Sequence, residues 1–91
     1  MRRVEAIVSG RVQGVGFRDF VRREADARQL AGYVRNSDDG RRVELVAEGA
    51  EEALAGMIEA VRRGPRLARV EDVSIVYGAA TGGFARFSVE I

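Results

Sequence analysis

The chain has 91 residues, 46% hydrophobic and 32% charged, with a formal net charge of +1. That length makes one domain with a single modest core, and the composition is that of an ordinary globular protein rather than a disordered one. There is no cysteine and no histidine, which excludes a disulfide framework, thiolate metal sites and Ser/His/Asp or Cys/His nucleophilic arrangements.

Residues 3 to 9 alternate as a strand does, with Val4, Ala6 and Val8 on one face and Arg3, Glu5 and Ile7 on the other. A glycine-punctuated stretch follows, Gly10-Arg-Val-Gln-Gly-Val-Gly-Phe-Arg18. Glycine tolerates positive φ and lets backbone approach a ligand closely. A turn of this kind feeding a helix N-terminus aims several N–H groups at one point, and Arg18 adds a permanently charged fork to the same concavity. The residues read as a phosphate cradle or, more blandly, as a tight turn followed by a surface arginine. No Gly-Lys-Ser/Thr closes the stretch, and its glycines are spaced four and two apart. It is therefore neither a P-loop nor a dinucleotide fingerprint, which argues against ATP, GTP and NAD as ligands.

Phe17 to Leu30 turns helical, with Phe17, Phe20, Val21 and Ala25 on one face and Gly32 as the expected stop. Tyr33 to Asn36 is a short strand, Ser37-Asp38-Asp39-Gly40 a turn, and Arg42 to Glu48 the returning strand of a hairpin. Glu51 to Arg63 is a second helix, with Leu54, Met57, Ile58 and Val61 as its apolar stripe and Gly64-Pro65 ending it. A connector, Arg66 to Arg69, leads to a strand over Val70 to Tyr77. Gly78 to Gly83 is a flexible loop, and a last strand runs from Phe84 to Ile91.

The order predicts an α+β protein: a ferredoxin-like α/β sandwich, βαββαβ with an extra C-terminal strand. Its two helices lie on one face of a mainly antiparallel sheet, with the first and third strands central. The loop after the first strand then opens beside the hairpin, where Asn36 is the nearest polar side chain. An amide there either holds a water in line with a phosphoryl group or initiates the Ser37–Gly40 turn. Asp38, Asp39 and Asp72 lack the spacing of metal ligands, and Phe17, Phe20, Tyr33, Phe84 and Phe87 read as core.

All 15 basic residues are arginine. Arg2, Arg3, Arg22, Arg23, Arg28, Arg41, Arg42, Arg62, Arg63, Arg66, Arg69 and Arg86 are expected on solvated surface. Near-neutral charge gives no pull toward nucleic acid or anionic membrane. No run approaches the roughly 18 apolar residues of a membrane helix, and Glu5 interrupts any signal-peptide core. The expectations are a cytoplasmic location, no nucleic-acid or membrane partner, and a monomer.

Three segments together resemble the acylphosphatases: Gly10 to Arg18, then Leu30-Ala-Gly-Tyr-Val-Arg-Asn36, then Asp39-Gly40. The likeness continues through Val43-Glu44-Leu45, Glu48-Gly49 and Gly64-Pro65 to Phe87-Ser88-Val89, so it spans essentially residues 1–91 as one domain. It implies hydrolysis of the carboxyl–phosphate bond of a small acylphosphate to carboxylate and inorganic phosphate. By the family's pattern, Arg18 binds the phosphate with the backbone N–H groups of Gln13, Gly14, Val15, Gly16, Phe17 and Arg18, and Asn36 positions the water. No metal, cofactor or covalent enzyme intermediate is expected. Three positions depart from the pattern: Asp19 follows the arginine, Tyr33 stands where tryptophan is common, and Arg41-Arg42 make the hairpin more basic. The domain also resembles the N-terminal part of large carbamoyl-phosphate-handling hydrogenase maturation proteins; because nothing follows Ile91, a stand-alone enzyme is expected. The alternative is a non-catalytic phosphate-, acylphosphate- or RNA-binding ferredoxin-like module.

Overall fold

The computed structural model describes all 91 residues. Its elements are β1 (Arg2–Arg11), α1 (Phe17–Ala27), β2 (Ala31–Asn36), β3 (Arg42–Gly49), α2 (Glu51–Arg63), β4 (Arg69–Ala79) and β5 (Phe87–Glu90). The sheet order is β4-β1-β3-β2-β5, antiparallel throughout except where β5 runs parallel to β2. This is the ferredoxin-like arrangement with the extra strand placed beside β2.

The period of two decides what each face does. Val4, Ala6 and Val8 of β1 pair with Ala47, Leu45 and Val43 of β3, and all six are buried. With Val34 of β2 they meet Phe17, Val21 and Ala25 of α1 and Leu54, Met57, Ile58 and Val61 of α2 in one core. Both helices therefore cover a single face of the sheet.

Helix α1 ends three residues earlier than its apolar spacing predicts. Gln29 takes a left-handed conformation at φ 58°. Leu30 N–H donates to the Ala25 carbonyl at 2.9 Å and Gln29 N–H to Asp26 at 3.1 Å. That pair of bonds is a Schellman stop built on glutamine. Gly32, the expected stop, lies inside β2 instead, where a Cβ would drive into the Val46 carbonyl oxygen. Gly10 has a similar duty. It extends β1 past the predicted end at the irregularity between Ser9 and Gly10, where a Cβ would meet the Arg69 carbonyl.

The last strand is shorter than predicted, because residues 80–86 form a strap over the helix-free face. Glu48 anchors it. Its carboxylate accepts from Thr81 N–H at 3.0 Å, Thr81 Oγ1 at 2.8 Å, Gly82 N–H at 2.9 Å and Arg3 Nη1 at 3.0 Å. Arg3, expected in solvent, is thus a half-covered partner of a buried carboxylate. The strap's Phe84 packs against Tyr33, ring centroids 6.0 Å apart, with the Arg3 guanidinium over its face.

Candidate active site

Gly14 and Gly16 turn the chain between β1 and α1 with φ of 73° and 77°. Nothing would obstruct a Cβ at either position, so their glycine character answers to backbone conformation rather than to space. Gly16 is the residue capping α1, and no side chain caps it. The N–H groups of Gln13 to Arg18 donate to no backbone or side-chain acceptor, since the first donation in the helix is Phe20 N–H to the Gly16 carbonyl. Unmet donors at a helix N-terminus, at the positive end of its dipole, form a place for an anion.

Arg18 stands in this first turn, where a cation opposes the dipole. It makes no ion pair with any carboxylate, and its Nη1 donates to the Glu90 carbonyl of β5 at 2.9 Å. The rest of its fork stays free for a ligand.

Asn36 closes β2. It shares the helix-side face with Val34, two residues before it, and so looks toward the start of α1. It does not serve the following turn, which is held by Ser37 and Asp39: the Arg41 N–H donates to Asp39 Oδ1 and the Arg42 N–H to Ser37 Oγ. Asn36 Oδ1 is buried and has no hydrogen-bond partner. Orphaned buried acceptors are costly in an ordinary fold, and this one is open to a donor entering the cleft.

Arg18, Asn36, Gly14, Gly16 and Phe17 line one cleft of about 420 Å³, together with Val12, Asp19, Arg22 and Val89. Gln13 and Val15 lie off its wall. Gln13 instead ties the loop to the hairpin, its Nε2 donating to the Ser37 and Arg42 carbonyls at 2.9 Å each. Its side chain sets where the cradle sits relative to Asn36. Two lining residues, Arg22 and Val89, read in the sequence only as surface and strand positions. The helical spacing from Arg18 to Arg22 was the signal that could have found the first.

Asp19, the departure beside Arg18, is paired. Its carboxylate meets Arg22 at 2.8 Å and Arg23 at 3.1 Å. The Arg22 hydrogen bond holds its carboxyl below the ordinary aspartate value. The molecule has no group of three or more carboxylates placed to hold a metal ion, and no helix is long and apolar enough to cross a membrane.

A family model described as Acylphosphatase matches residues 4–89. An acylphosphatase of Bacillus subtilis is 52% identical over 89 residues, covering 98% of this chain and 97% of that protein. The crystal structure of acylphosphatase from Bacillus subtilis superposes with a TM-score of 0.95 at 50% identity, covering 100% of both chains. A HypF structure from T. kodakarensis also matches, at TM-score 0.84 and 36% identity, with 12% of that much longer chain covered. These likenesses do not favour the non-catalytic and RNA-binding alternatives.

Proposed function

The chain belongs to the acylphosphatase family and is an acylphosphate hydrolase, and from that premise we propose how its residues divide the reaction. The substrate phosphate sits in the turn of residues 13–18, nearest the N–H groups of Gly14, Gly16, Phe17 and Arg18 that line the cleft, its equatorial oxygens bridged by the Arg18 guanidinium. Asn36 accepts a hydrogen bond from the attacking water through Oδ1 and so directs the water's lone pair at phosphorus. The carboxylate leaves on the opposite side. The observation that carries this reading is the buried, unpartnered Asn36 Oδ1 in the same cleft as an unpaired arginine and a turn of unmet N–H groups.

The chemistry suits so few groups. A mixed anhydride already has a good leaving group, so general acid catalysis adds little. Phosphoryl transfer proceeds mainly through positioning and through neutralising charge on the transferred group. An amide takes no proton at neutral pH, and the water's proton passes to an oxygen of the substrate's own phosphate. The whole of 1–91 acts as one domain, as a cytoplasmic monomer without cofactor. The near-zero net charge supports a small-molecule substrate over nucleic acid.

Hydrolysis of an aromatic acylphosphate in the presence of EDTA tests the reading. Wild type turns over, while folded Arg18→Lys and Asn36→Ala each lose about 10²–10³-fold, as for removal of one oxyanion donor. A folded wild type that binds phosphate without turnover would replace catalysis with simple binding.

A further inference from the structure

Asp19 places a carboxylate on the wall of a cleft that must attract a doubly charged anion, one residue after the arginine that attracts it. Left free, that charge would repel the ligand. It is not free. Arg22 Nη2 holds Oδ1 at 2.8 Å and Arg23 Nε holds Oδ2 at 3.1 Å. Arg22 is itself fixed from the far side, its Nη1 meeting Asp26 at 3.0 Å. It is the more covered of the two arginines, 39% exposed against 63% for Arg23, and the one that lines the cleft.

We propose that Arg22 is a positioning residue for the hydrolysis, holding the Asp19 carboxylate away from the anion cradle so that it does not oppose phosphate binding. Exposed helix pairs of this kind add little to the stability of a fold, and this one bears on the charge at the cleft wall because Asp19 and Arg22 both line it. Protonation gives no alternative route to silencing Asp19, because the Arg22 hydrogen bond holds its carboxyl below the ordinary aspartate value. The inference rests on the cradle reading of Arg18 given above.

The test measures KM for an aromatic acylphosphate and Ki for inorganic phosphate in Arg22→Met, Asp19→Asn and the double variant. Arg22→Met, which leaves Asp19 only the more exposed Arg23 as partner, raises both constants about three- to tenfold while kcat stays within about twofold, no more than one charge near a solvated site exerts. The Asp19→Asn/Arg22→Met double variant returns both to within about twofold of wild type, since the charge that needed holding is gone. The penalty in Arg22→Met also shrinks as salt rises from about 0.05 to about 0.5 M. A merely structural role would show no rescue and no such salt dependence.

Two results overturn the proposal. One is unchanged KM and Ki in Arg22→Met. The other is a double variant as impaired as Arg22→Met, which makes Arg22 a direct contact of the substrate. Arg18→Lys in the same series separates this failure from failure of the cradle: an active Arg18→Lys removes the cradle itself, whereas an inactive one leaves only the role of Arg22 in question.

Discussion

The Arg18 guanidinium and the Glu90 backbone carbonyl meet at 2.9 Å, joining the first turn of α1 to the end of β5. Glu90 lies opposite Arg35 in the parallel pairing of β5 with β2, one residue short of Asn36. The last strand therefore fixes Arg18, the proposed phosphate ligand, at the level of Asn36, the amide proposed to position the water. A main-chain acceptor suits this task, because it holds the fork without neutralising it as a carboxylate would.

Truncation after Ser88 removes that acceptor. The account predicts a fall in kcat/KM of about ten- to a hundredfold, in keeping with the cost of a small misplacement of a catalytic group. Circular dichroism should still report a folded protein, since the core side chain of β5 is Phe87, which is kept. Steady-state kinetics on the truncated chain check this, with the melting temperature as control.

Glu48 should control the stability of the strap. Backbone hydrogen bonds from Thr81 and Gly82, with the Arg3 and Thr81 side chains, lower its carboxyl from 4.5 to about 2 against the opposing effect of burial. A folded-state value below the ordinary one stabilises the fold above about pH 4.5 and loses that contribution as the pH falls toward 2. Glu48→Gln should lower the melting temperature by several degrees at pH 7, with the gap to wild type closing over that acid range. Thermal melts from pH 7 to pH 2 measure it.

Gln29 carries the left-handed stop of α1 at φ 58°. A side chain there costs about 1–2 kcal/mol, from which the extra unfolded-state freedom of glycine subtracts about 0.5–1 kcal/mol. Gln29→Gly should therefore stabilise the protein by about 0.5–1 kcal/mol in urea unfolding. Gly32→Ala should do the reverse by a wider margin, because its Cβ has no room against Val46.

These positions also show what could be read in the sequence and what could not. The βαββαβ order and the helix-facing stripe of each element follow from periodicity and turn chemistry, which are local properties, whereas the roles of Arg18 and Asn36 rest on the family resemblance, since pattern alone leaves a tight turn as the alternative. Chain neighbours alone could not separate Gly10, a close approach between strands, from Gly14 and Gly16, which turn the loop. The stop of α1 is not legible because glutamine is an uncommon left-handed residue and Gly32 lies close by. Arg3 reads as a solvated charge, and nothing local marks Glu48 as its buried partner, since their covering strap comes from residues 80–86, more than 30 positions beyond Glu48. The sequence points to the N–H of Gln13, whereas its side chain reaches across to the hairpin. Contacts distant in sequence account for most of what local pattern does not show.

The division of work between Arg18 and Asn36 is best tested by the kinetics of Asn36→Ala with inorganic phosphate as a competitive inhibitor. The account predicts that kcat falls by about 10²-fold or more while Ki for phosphate stays within about twofold of wild type, because the cradle and Arg18 remain. Retained turnover, or a Ki that rises in step with the loss of kcat, would contradict it and place Asn36 among the groups that bind phosphate.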